Sequence, residues 1–143
     1  MSLEARQSLV EKLIFQDESS KSDLLDLNLT DTNLIEALIE LVGLGHNIEV
    51  TAVRTDHHPD GYLGKHSHQA GRAVDCWPLL SPTAGDYANE NGMAFNLFLE
   101  DLRKNSLIAQ VGLGGSAFTV GNMRVLGSLG FQDNGADHVH IGV

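Results

Sequence analysis

Cysteine is nearly missing from this chain: Cys76 is the only one in 143 residues. That excludes an intramolecular disulfide framework, and also a structural zinc site closed by several thiolates. Positive charge is scarce as well. Nine Lys and Arg stand against 19 Asp and Glu, for a formal net charge of −10. A protein that tracks nucleic-acid phosphates needs a basic face, and one that docks on anionic lipid needs a basic patch; neither partner is expected. No apolar run approaches the roughly 20 residues needed to cross a bilayer. Met1–Arg6 carries charges where a secretory leader would place its apolar centre, so no leader is expected here. The glycine-rich stretch 112–115 lacks the Lys-Ser/Thr of a phosphate cradle, which speaks against nucleotide binding. Repeats, low-complexity tracts and linkers are missing too. A chain of this length suits one domain spanning residues 1–143.

What is present reads as α+β, a small central antiparallel sheet flanked by helices. Leu9/Leu13 and Val10/Ile14 are i,i+4 pairs that predict a helix over 3–15, and the polar stretch 16–23 reads as a loop. Leu34/Leu38 and Ile35/Ile39 predict a helix from Thr32 to Val42, capped by Asp31 or Thr32 and ended by Gly43 or Gly45. Alternation predicts a strand over 47–54. Pro59, Gly61 and Gly64 make 55–65 an irregular loop, and His57, His58 and His66 are expected in a solvated loop rather than on a metal. A strand over 72–77, a turn at 81–85 and a helix over 87–104 come next, with Phe95, Leu97, Phe98 and Leu102 as the core face of the helix. Strands are expected at 107–111 and 138–143, with a short helix over 119–129. Cys76 and Trp77 read as core residues.

The chemistry concentrates in His68–Gln69–Ala70–Gly71–Arg72–Ala73–Val74–Asp75 and in the distant Asp137–His138–Val139–His140. A histidine, a carboxylate seven residues on and a His-x-His can together supply three ligands to one divalent ion. Two imidazoles and a carboxylate leave the fourth position of a tetrahedral zinc open, as a hydrolytic centre requires. On a strand, Ala73 and Asp75 face one way and Val74 and Cys76 the other, while His138 and His140 share a face. Gly71 would let the backbone approach the metal closely.

These segments, together with Ile48–Glu49–Val50–Thr51–Ala52–Val53–Arg54 and His66–Ser67–His68, resemble the zinc D-alanyl-D-alanine carboxypeptidase family. That family includes phage L-alanyl-D-glutamate endolysins and vancomycin-resistance dipeptidases, and it shares its fold with the hedgehog signalling domain. The resemblance covers about residues 34–143; residues 1–30 read as a helical extension with no counterpart. It implies a hedgehog/DD-peptidase-like fold and a zinc ion bound by His68, Asp75 and His140. It also implies that Arg54 engages the substrate and the developing oxyanion, and that Asp137 or His138 serves as general base. His66 stands where the family motif has a substrate-holding serine, and Ala52–Val53 stand where it has Gly-Tyr.

The function implied is a zinc peptidase acting on stem peptides of bacterial peptidoglycan, as a D,D-carboxypeptidase or an endolysin-type endopeptidase. Its place of action would be the cell wall, reached by phage release or from the periplasm or exterior. A non-catalytic zinc-binding recognition module of the same fold is the alternative. A His-rich all-β barrel using His66 and His68 as a ligand pair is a third reading, opposed by the helical patterns near the N-terminus.

Overall fold

In a computed structural model, the residues described are 1–113, 116–117, 124–125 and 138–143. The chain runs α1 (Leu3–Glu11), β1 (Ile14–Phe15), α2 (Glu18–Leu25), α3 (Thr32–Gly43), β2 (Asn47–Ala52), a 3-10 segment (Gly61–His66) and β3 (Ala73–Leu79). It continues as α4 (Met93–Lys104), β4 (Gln110–Leu113), β5 (Ser116–Ala117), β6 (Arg124–Val125) and β7 (Val139–Gly142). The class is α+β. The sheet has the order β1-β2-β3-β7-β4-β5, with β6 also paired to β4. It is mixed rather than antiparallel, because β1 runs parallel to β2 and β6 parallel to β4.

The N-terminal segment departs most from the sequence reading. The helix expected over 3–15 stops at Glu11, with Lys12 as its C-cap, and Ile14–Phe15 joins the sheet beside Glu49–Val50. An i,i+4 pattern cannot tell a helix from a helix that hands its last apolar pair to a strand. The supposed loop at 16–23 is largely α2, because Asp17 accepts from Ser20 N at 2.8 Å and caps it. Arg6 locks α1 to residues 24–30. Its guanidinium, 1% exposed, donates to Leu24 O, Asp26 O, Thr30 Oγ1 and Thr30 O at 2.5–3.0 Å.

The α3 helix follows its pattern, capped by Asp31 Oδ1 on Asn33 N at 2.7 Å. Leu34, Ile35, Leu38 and Leu41 are fully buried, each worth roughly 1.5–3 kcal/mol of transfer free energy; Ile39 is exposed. The last helix begins at Met93 rather than 87, with Gly92 as N-cap, and Tyr87 instead bridges to Leu79. Phe95, Phe98 and Leu102 are buried, but Leu97 points to solvent. Arg124–Val125 is a strand where a helix was expected; the rest of 119–129, and Gly114–Gly115, lie outside the described residues. Val74, Cys76, Val139 and Ile141 face the helices and share one apolar core with α1, α3 and α4. Ala73 and Asp75 of β3 and His140 and Gly142 of β7 are the alternate residues, on the opposite face.

Candidate metal centre

The β3 and β7 strands are antiparallel neighbours, and Asp75 is registered directly against His140. Opposed residues project to the same face, so strand pairing alone sets carboxylate against imidazole. His140 Nδ1 lies 3.4 Å from Asp75 Oδ1. His138, just before β7, brings its Nε2 to 3.8 Å from the same oxygen. His68 comes from the loop before β3 and places Nε2 3.1 Å from Asp75 Oδ1. Three ring nitrogens thus converge on one carboxylate oxygen. All three imidazoles and Asp75 are buried.

The loop that delivers His68 is held by main-chain contacts. Buried Asp60 accepts from His68 N at 3.0 Å and Gln69 N at 3.4 Å. Gly71 has φ 72°, and a Cβ there would lie 2.0 Å from Leu29 O. Its glycine is therefore required by the chain crossing at Leu29, not by approach to a metal. On the other side of β3, a bulge between Val50 and Ala52 aligns Ala52 with Asp75, and Thr51 Oγ1 donates to Asp75 O at 3.2 Å.

The proton arrangement tests whether a cation suits this cluster. His68 Nδ1 faces Val53 O at 2.5 Å, and a carbonyl only accepts, so Nδ1 carries the proton. In the neutral ring the Nε2 lone pair then points at Asp75 Oδ1, itself an acceptor. Two lone pairs facing each other call for a positive centre between them. Ligands held by a tetrahedral ion at about 2.0–2.1 Å stand about 3.3 Å apart, and the observed separations of 3.1 and 3.4 Å straddle that figure. His68, Asp75 and His140 therefore suit a divalent ion that takes nitrogen and oxygen donors.

Electrostatics agrees with ligand-ready protonation states. Burial would raise the Asp75 carboxyl, but the imidazoles of His140, His57 and His68 gathered on it outweigh burial and hold it well below the usual carboxylate range. For His140 burial wins over the attraction of Asp75, and its imidazolium is disfavoured.

His57 was expected in solvent, yet it belongs to the cluster. Its Nε2 lies 3.2 Å from Asp75 Oδ2, and its ring stacks on His68 with centroids 3.6 Å apart. His58 is exposed, as expected. No spacing rule reaches His57, because a turn sets its position. Asp23 of α2 accepts from Arg54 N, Thr55 N and Thr55 Oγ1 at 2.5–3.0 Å, fixing the chain just upstream. Burial lowers the His57 imidazolium, but the Asp75 hydrogen bond and charge and the His58 carbonyl raise it further, and the net shift is upward. A raised histidine contributes stability that is complete below its unfolded value of about 6.5 and is lost as pH rises through the folded value. In metal-free protein, His57→Ala should therefore cost about 1 kcal/mol near pH 6 and less at pH 9. Urea midpoints at the two pH values check this; a cost that grows with pH would contradict it.

The other residues singled out by sequence fall elsewhere. Asp137 lies outside the described residues. Arg54 follows the end of β2, and its guanidinium donates to Leu29 O at 3.4 Å rather than lining the cleft beside Asp75. His66 Nδ1 meets Val143 O at 2.7 Å, so it contacts the C-terminal residue.

An open cleft of about 610 Å³ adjoins the cluster, lined among others by Asp75, His138, Thr51, Glu49, Trp77 and Tyr87. Glu49 is buried there, accepting from Tyr87 OH at 2.5 Å, Gln16 Nε2 at 3.1 Å and Gly85 N at 3.2 Å. Trp77 packs in the core against Phe95, as expected, and also walls the cleft. Comparison of the chain with protein families, curated proteins and solved structures finds no match.

Proposed function

We propose that this protein is a zinc peptidase of the hedgehog/DD-peptidase-like fold, hydrolysing peptide bonds in peptidoglycan stem peptides. The observation that carries the metal reading is the convergence of His68 Nε2, His140 Nδ1 and His138 Nε2 on Asp75 Oδ1 at the edge of an open cleft. The substrate class rests on the motif resemblance.

His68, Asp75 and His140 would hold the ion. When bound, zinc supplies Lewis-acid polarisation of a carbonyl and brings the pKa of water down to about 7. His138 lines the cleft, and its Nε2 would take a proton from the attacking water and return it to the leaving amine. Asp137 shares that candidacy by sequence. His57 holds Asp75 Oδ2, leaving Oδ1 to the ion. Trp77 and Tyr87 offer flat walls for an extended peptide, and Thr51 a hydroxyl on its path.

Hydrolysis of a synthetic stem pentapeptide, followed by mass spectrometry, tests this reading. Zinc-loaded wild type should cleave it, and His138→Ala should retain zinc while losing about a hundredfold or more in kcat. Tight binding of the peptide with no cleavage by wild type would favour the recognition-module alternative instead.

A further inference from the structure

Among the described residues, few buried side-chain polar atoms lack a hydrogen-bond partner. They include both ends of the Gln110 amide and Nε2 of His140. Gln110 is fully buried on β4, and no sequence pattern marks it. The register explains why these groups belong together. On β7, His140 opposes Asp75 on one side and Gly112 on the other; Gly142 likewise opposes Ala73 and Gln110. Opposed residues, and residues two apart, project to the same face. Gln110 therefore emerges on the metal face, one pair along from His140. The residue between them is a glycine, and a Cβ at Gly142 would lie 3.4 Å from His140 Nε2. The imidazole thus overhangs Gly142 with its unpartnered nitrogen, and Gln110 is the residue across the ladder.

His140 turns Nδ1 to Asp75 Oδ1, so Nδ1 is its ligand atom and Nε2 carries the proton. A metal-bound imidazole almost always donates that second N–H to an acceptor, which fixes the tautomer and the ring plane. We propose that Gln110 is the positioning residue for His140, its Oε1 accepting from His140 Nε2 when the ion is in place. One contact then pairs His140 Nε2 with Gln110 Oε1, two atoms that are unpartnered without it. In the metal-free chain a buried amide without partners is a burden on stability. This inference rests on His68, Asp75 and His140 being the ion's ligands.

Gln110→Met keeps the volume and removes the amide, so the two roles part company. A positioning role requires zinc affinity, measured by competition with a chromophoric chelator, to fall roughly 10- to 100-fold. The metal-free variant should at the same time melt no lower than wild type. Gln110→Glu keeps an acceptor and should hold wild-type affinity while melting lower without metal. Nitrogen-15 spectra of zinc-loaded wild type should show a slowly exchanging His140 Nε2–H that is lost in Gln110→Met. Unchanged affinity in Gln110→Met would overturn the proposal. So would a fall in affinity matched by a lower metal-free melting point, or survival of the Nε2–H signal in that variant. Wild type that takes up no divalent ion would overturn the metal reading itself, and this inference with it.

Discussion

Asp75→Asn should keep the fold and lose the ion. The carboxylate oxygen Oδ1 is the point on which His68 and His140 close, while Oδ2 is held by His57. An amide preserves the shape but removes the charge that offsets a dication. Structural zinc sites bind with about 10–16 kcal/mol shared over four ligands, or about 2.5–4 kcal/mol each, so the expected loss of affinity is roughly 10²–10³-fold. Hydrolysis should disappear with the metal. The check is a chelator-competition titration beside elemental analysis of the purified variant. Asp75→Asn retaining zinc at wild-type affinity would remove Asp75 from the ligand set.

Arg6→Met should be the most damaging change outside the metal centre. The guanidinium satisfies three buried carbonyls and the Thr30 hydroxyl, and it ties α1 to the 24–30 segment. Burial lowers its affinity for the proton, against the attraction of Asp26 and Asp31, yet the group remains a cation. A methionine fills part of the volume and takes the guanidinium donors away from Leu24 O, Thr30 O and Thr30 Oγ1, in a place water does not reach. The expected cost is about 3–5 kcal/mol, read from urea midpoints on metal-free protein. The damage should spread to the site, because Leu29 O abuts Gly71 and Gly71 O accepts from Asp31 N at 2.8 Å. A loss below about 1 kcal/mol, the scale of a surface change, would mean that residues 1–30 are the appendage their sequence suggests.

The sequence was legible where one element decides the outcome. Leu34 and Leu38 mark α3 because a helix shows its buried stripe to any reader of its period. Asp75 and His140 declare themselves because ligand chemistry and strand alternation agree on both. Legibility failed where the deciding partner is remote. Nothing near His57 says that Asp23 will grip Thr55 and turn the imidazole onto Asp75. Nothing near Arg6 says that a cation will be swallowed by the 24–30 carbonyls. Gly71 was read as making room for a metal, whereas its freedom serves a crossing with Leu29 that pairs residues 42 apart. Gln110 looked like an ordinary strand residue, since only the β4–β7 register sets it beside His140. Arg54 looked like a substrate group because the motif resemblance places an arginine there. The turn held by Asp23 sends its guanidinium to Leu29 instead.

Release of peptide fragments from purified bacterial sacculi, measured before and after metal removal, tests the central claim most directly. Wild type should release them, fall silent once the metal is chelated and dialysed away, and regain activity on addition of one equivalent of zinc. Protein that binds one zinc at His68, Asp75 and His140 yet releases nothing from sacculi or stem peptides would contradict it.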